Sequence, residues 1–241
     1  VDDMRKRSDD SKLEELSKLR GISIEQLRES GIFYIGSMAE MLVPKYLKEL
    51  EDFGVISGTN RKPIFSDRWV IPIKAVCGRV KNLVGYSNTA RERYVYGTGI
   101  YYRRNEDMYG LENLRLAYEL GYAIYVEGIT DAIAIRDLGY KNCFAACGTR
   151  HSEIKMKQLN RCRHGVIRIP DRDYAGDATL KHWITNRYIT LNVPVIYKDS
   201  DETLNPRDSD GNVDMELKAE NGEWFRNYLD SCIEWLQERE H

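Results

Sequence analysis

Tyr122-Ala-Ile-Tyr-Val126, followed at once by Glu127-Gly128-Ile129-Thr130-Asp131, is the passage on which the fold turns. Five apolar or aromatic residues without a polar interruption read as a strand buried on both faces. Gly128 permits a tight exit from that strand, and Thr130 is expected to cap a helix that Gly139 ends. The same grammar recurs downstream. Residues 142–146 read as a second strand, Ser152 opens a helix, 165–169 make a third strand, 175–192 a longer helix and 193–197 a fourth strand. Strands alternating with helices of this length predict a parallel sheet covered by helices on both faces.

Upstream of this passage the pattern differs. Residues 11–54 read as three short helices: Ser23 and Gln26 form a capping box before Leu27, and Pro44 opens a segment that Gly54 closes. From Arg68 the chain turns to β-rich runs at 69–73, 80–86 and 94–96, separated by turn signals at Gly78 and Asn88, and a helix near 107–120 stops at Gly121. The tail, 224–238, repeats apolar residues at helical spacing. The expected class is therefore α/β. A mixed α/β subdomain with a basic ridge (1–118) precedes the parallel-sheet domain (119–211), and a helical segment (212–241) follows.

The 241 residues are 42% hydrophobic, which suits a globular chain. No apolar run is long enough to span a membrane and the first thirty positions mix both charges, so the chain is expected in the cytoplasm. Its start at Val1 is read as that of a fragment. Five scattered cysteines, without a C-x-x-C pair, predict reduced thiols rather than disulfides or a zinc site. Net charge is only −2, but its distribution is uneven. Arg79, Lys81, Arg91, Arg93, Arg103 and Arg104 are interleaved with Tyr86, Tyr94, Tyr96, Tyr101 and Tyr102 against the lone acid Glu92, whereas acids concentrate from Asp171 onward. Such asymmetry suits a protein that holds a polyanion in one place and metal ions in another.

In an open parallel sheet, ligands bind at the carboxyl ends of the strands. Three of the four such ends are acidic: Glu127 and Asp131 after the first strand, Asp171 and Asp173 after the third, then Asp199, Asp201, Glu202 and Asp208 after the fourth. Asp171 and Asp173 lie two apart in extended chain and so point to one side. Asp131 falls in a first helical turn, where the helix dipole favours a carboxylate. Carboxylates gathered in this way repel unless cations sit between them, and an all-oxygen set selects Mg²⁺ or Mn²⁺. Two such ions are a common device of phosphoryl transfer.

A strand ending in Glu-Gly, an Asp three residues on, a second strand ending in D-x-D and a further acid resemble the Toprim domain, shared by primases, topoisomerases and several nucleases. The flanks choose among these. Arg68-Trp-Val-Ile-Pro-Ile73, Gly78-Arg79-Val80 with Gly85, Arg103-Arg104 with Met108-Tyr-Gly-Leu111, Gly148-Thr149, Leu19-Arg-Gly-Ile-Ser23 and Ile32-Phe-Tyr-Ile-Gly36 resemble, in order, the catalytic core of DnaG-type DNA primases. That resemblance implies magnesium- or manganese-dependent synthesis of short RNA primers on single-stranded DNA. Glu127, Asp171 and Asp173 would be catalytic and hold two or more ions, with Asp131 and Asp208 supporting. Arg79, Arg93 and Arg104 would contact template or nucleotide phosphates, and Gly148 and Thr149 would lie beside the site. The implied partners are the DNA template, ribonucleoside triphosphates, the RNA–DNA hybrid and a replicative helicase reached through regions outside this chain.

Three departures mark a divergent, phage-like member. Arg172 replaces the glycine of D-G-D, Asn205-Pro-Arg-Asp208 replaces a motif with two acids, and the glycines after Gly85 are missing. A Toprim-type nuclease, or a single-stranded DNA-binding module with weakened catalysis, are the alternatives.

Overall fold

In the computed structural model the described residues are 10–37, 47–56, 63–100, 103, 106–147, 153–172, 190–192, 195 and 197–238. They form two compact units, one of Val1–Ser17 with Ser23–Arg103, the other of Lys18–Ile22 with Arg104–His241. The boundary near residue 103 falls earlier than the expected 118, because the segment after Asp107 is built into the parallel-sheet core.

The first unit opens on helices α1 (Asp10–Arg20), whose last turn belongs to the second unit, and α2 (Ile24–Glu29). Ser23 caps α2 as expected, its Oγ accepting from the Gln26 N–H at 3.1 Å, and Gln26 Nε2 donates to Ser30 Oγ at 3.0 Å. Strand β1 (Phe33–Ile35) stands where only helix was expected; helix α3 (Leu47–Asp52) follows. Three residues carry too little periodicity to show as a strand, and β1 exists because Phe33–Ile35 pair with Arg68–Val70. Strands β2 (Arg68–Lys74), β3 (Val80–Tyr86) and β4 (Tyr94–Tyr96) complete an antiparallel sheet in sequence order. Pro72 is tolerated inside β2 because β1 pairs only with Arg68–Val70, leaving Pro72 paired to Leu83 alone. Phe33, Ile35, Val55, Phe65, Val70 and Leu83 form the core. Gly85 is required by proximity: a Cβ there would meet Phe65 Cδ1 at 2.6 Å and Arg68 Cδ at 2.8 Å.

In the second unit a 3₁₀ turn (Leu111–Asn113) leads into α4 (Leu114–Leu120), which Gly121 ends with a φ of 81°. The helix starts later than 107 because Tyr109 makes an antiparallel bridge to Ala145. Then come β5 (Tyr122–Val126), α5 (Ile129–Asp137), β6 (Cys143–Ala145), α6 (Glu153–Leu159), β7 (Gly165–Arg168), β8 (Thr190–Asn192), α7 (Ser200–Leu204) and α8 (Met215–Glu238). The strands are parallel in the order β6-β5-β7-β8. Ala123 and Tyr125 of β5 join Leu114, Ala117, Met156 and Leu159 on one face, and α5 and α8 pack against the strands as well. This is the expected α/β arrangement.

Two boundaries need correction. A strand stands at Thr190–Asn192, inside the expected helix 175–192, the rest of which lies outside the described residues; of the expected strand 193–197, Val195 and Tyr197 are not strand and the other positions lie outside the described residues. Helix α8 begins at Met215 rather than 224: Asp214 Oδ1 accepts from the Leu217 N–H at 3.0 Å, and Gly222 is carried within the helix beside Leu138. Among the described residues no helix is long and apolar enough to cross a membrane, and the five cysteines are free thiols.

Candidate active site at the strand ends

Parallel pairing of β5 with β7 sets Tyr125 beside Arg168, and the Ile169 N–H continues the ladder to the Tyr125 carbonyl at 2.9 Å. Glu127 and the chain leading to Asp171 therefore leave the sheet side by side. Between them stands Arg168, whose Nη2 donates to Glu127 Oε1 at 3.2 Å. The Arg168 side chain is 1% exposed and that of Glu127 20%. Burial lowers the Arg168 guanidinium from its usual value, while Glu127, Tyr125 and Asp171 act against that shift. One buried cation thus neighbours both acids. Arg168 was not singled out in the sequence, since an arginine within a strand reads as a solvated position.

Asp131 lies in the first turn of α5 and is buried, as is Asp201 in α7. Asp131 Oδ1 accepts from the Asp201 N–H at 2.8 Å. Gly128 is extended, with a φ of −95°, so its need for glycine is one of space and not of conformation: a Cβ would collide with Asp131 Oδ2. The helix starts two residues earlier than expected, at Ile129, with Gly128 rather than Thr130 as its cap. Burial, and then the charges of Asp199, Asp201 and Asp171, hold the Asp131 carboxyl well above the usual range, opposed by the hydrogen bond from Asp201. Asp201 is raised too, chiefly by burial, with Arg20 and Asn205 acting against it.

Asp201 pairs with Arg20 and accepts from Asn205 Nδ2 at 3.0 Å. Asp199 caps α7, taking the Glu202 N–H at 2.8 Å. Asp199 and Asp201 were recognised as strand-end acids but not assigned to the site, and Asp201 proves to be the partner that fixes Asp131.

The other expected site residues fall elsewhere. Asp208 is exposed in a turn, its Oδ1 accepting from the Asp210 and Asn212 N–H groups at 2.9 Å each. Arg79 and Arg93 are exposed and flank β3, one just before Val80 and the other next to Tyr94, which pairs with Tyr86. They are separated by the length of the strand, about 20 Å at roughly 3.4 Å per residue. The Tyr86 and Tyr94 rings, 5.2 Å apart, lie at the Arg93 end. Asp173, Arg104, Gly148 and Thr149 lie outside the described residues.

Glu127, Asp131, Asp171, Asp199 and Asp201 supply oxygen alone, the donor chemistry of a hard divalent cation. The upward push on Asp131 and Asp201 comes first from burial and then from neighbouring carboxylates, and a bound cation would oppose both by favouring the charged form. The residues thus fit an ion of this class, although among the described residues no three of them stand close enough to ligate one ion together.

The sign of the pH dependence follows. A carboxyl raised in the folded state binds its proton more tightly there than in the unfolded chain. Asp131 therefore contributes stability that is fully present below its ordinary value of 3.8 and is lost as pH rises through the raised one. Without divalent cations, Asp131→Asn is expected to stabilise the protein at neutral pH by about 0.5–2 kcal/mol and to flatten this component of the pH profile. Urea denaturation between about pH 4 and about pH 8 checks it, since asparagine can still accept from the Asp201 N–H.

A family model described as Toprim-like matches residues 124–204. The chain is 27% identical over 235 residues to the DNA primase of Thermotoga maritima, an alignment taking in 88% of this chain and 40% of that protein. The crystal structure of the zinc-binding and RNA polymerase domains of the Aquifex aeolicus primase superposes with a TM-score of 0.71 at 27% identity, over 90% of this chain and 55% of that one. The structure of a DnaG primase catalytic domain bound to single-stranded DNA shares the fold at a TM-score of 0.73 and 18% identity, over 94% of this chain and 74% of that one. The chain spans less than half the length of the curated relative from Thermotoga.

Proposed function

We propose, from the premise that this chain is a divergent relative of the catalytic cores of DnaG-type primases, that it joins ribonucleotides into short RNA primers on single-stranded DNA during replication. The observation that supports the proposal is the placing of Glu127, Asp131 and Asp171 within a few residues of the carboxyl ends of the neighbouring parallel strands β5 and β7, in a chain whose likeness to a primase structure covers 90% of its length.

On this reading Glu127, Asp171 and Asp173 hold two or more Mg²⁺ or Mn²⁺ ions, with Asp131 and Asp208 supporting. When bound, the ions would stabilise charge on the attacking and leaving oxygens as a 3′-hydroxyl displaces pyrophosphate. The chain's own residues position the reactants. Arg168 orients the Glu127 carboxylate, and the Asp201 N–H fixes Asp131. Arg79, Arg93 and Arg104 take template or nucleotide phosphates, for which a guanidinium offers two parallel donors. Gly148 and Thr149 offer backbone N–H groups and a hydroxyl to phosphate. A replicative helicase would be engaged through regions outside this chain, and the work would be done in the cytoplasm of a bacterium or a phage-infected host.

The test is incubation with single-stranded template, Mg²⁺ or Mn²⁺, and labelled ribonucleotides. Template-dependent ladders of short RNA are expected. Nicked template without triphosphates would indicate a nuclease instead. Neither product, with DNA affinity falling steeply with salt, would indicate a binding module.

A further inference from the structure

Lys218, on the first turn of α8, sends its ammonium inward to two acceptors: the Gly21 carbonyl at 2.7 Å and Asn205 Oδ1 at 2.8 Å. The second bond decides the orientation of the Asn205 amide. With Oδ1 turned to a cation, Nδ2 faces the other way and donates to Asp201 Oδ1. Arg20 holds the remaining Asp201 oxygen, and the backbone of Asp201 donates to Asp131 Oδ1. Asp201, Asn205 and Asp131 are all buried, so none of these bonds is exchanged cheaply for water. Gly21 leaves the room this relay needs: its φ is 70°, and a Cβ would stand 2.5 Å from Asn205 Oδ1. The substitution that seemed to remove an acid, Asn205, thus serves as an oriented amide between a lysine and an aspartate. An aspartate at 205 could accept from Lys218 but could not donate to Asp201.

We infer that Lys218 is a positioning residue for the acid site, acting on Asp131 through Asn205 and Asp201 and so linking helix α8 to the strength of divalent-cation binding. The inference rests on the proposed reading that the strand-end acids hold such ions. Loss of the ammonium leaves Asn205 Oδ1 buried without its cationic partner and removes one of the two bonds that hold the amide, so its hydrogen bond to Asp201 loosens. The backbone N–H on which Asp131 depends then shifts, and the acids meet an ion in a less favourable geometry. Substitution of groups that orient ligands in this way costs metal sites about 10- to 100-fold in affinity.

The experiment is titration of the full chain with Mn²⁺ alone, followed by calorimetry or by the paramagnetic resonance of free Mn²⁺, with thermal melting in parallel. Lys218→Met and Asn205→Ala are each expected to weaken Mn²⁺ binding about tenfold, with Lys218→Arg, which keeps a cationic donor, close to the unaltered chain. A role confined to folding would lower the melting temperature and leave the affinity of the folded protein unchanged, and that result overturns the inference. If Lys218→Met does not fold, Asn205→Ala decides by the same readout. Absence of Mn²⁺ binding by the unaltered chain overturns the reading beneath; binding by that chain with equal affinity in the variants overturns the positioning role alone.

Discussion

If the proposed function holds, replacing Glu127 by glutamine is expected to cut primer synthesis by about 100-fold or more, because it would neutralise a ligand to an ion that carries several kcal/mol of charge stabilisation. The amide oxygen can still accept the hydrogen bond from Arg168 Nη2, so the contact now 3.2 Å long has a replacement. Alanine is the poorer test, as it would strand a guanidinium whose side chain is 1% exposed. Incorporation of labelled ribonucleotides on single-stranded template, compared with the circular-dichroism melt of the same sample, separates chemistry from folding. A Glu127→Gln protein that melts like the original and primes at its rate would remove Glu127 from the catalytic set.

Arg168→Met should have the largest effect on stability, a loss of about 3 kcal/mol at neutral pH without divalent cations, the lower end of what removing one partner of a buried pair costs. Methionine fills much of the volume, so packing is little changed and the missing quantity is charge. Glu127 and Asp171, both neighbours of this cation, are left without it. Glu127 is 20% exposed, and solvent therefore softens the penalty. Urea midpoints check the prediction, and the double variant Arg168→Met with Glu127→Gln should recover part of the loss, since the two residues are in contact and their effects are not additive. An unchanged midpoint for Arg168→Met would show that the ion pair does not hold this end of the sheet together.

The two predictions differ in how their residues could be found. Glu127, Asp131 and Asp171 stood out in the sequence because each lies within a few residues of the end of an apolar strand, and the rule that ligands gather at parallel strand ends needs no coordinates. Gly128 was legible as a special position, yet its reason was not: the backbone is extended, and the Asp131 carboxylate occupies the space a Cβ would take. Arg168 escaped because burial of an arginine in a strand depends on Glu127, a residue 41 positions away. The Asn205 exchange read as a lost acid until Lys218 and Gly21 were seen on its other side.

The alternation of strand and helix, the parallel sheet and the acidic strand ends were determined by the sequence alone, for they rest on periodicity and on neighbours a few residues apart. Tertiary structure decided the short strand β1, the strand at Thr190–Asn192 where helix was expected, and the pairing of Arg168 with Glu127. It also decided the relay from Lys218 to Asp131, one bond of which spans 197 positions. The physical reason is common to these cases: a strand of three residues or a buried polar contact is stabilised by its partner, and the partner's identity is set by the folded chain rather than by local sequence.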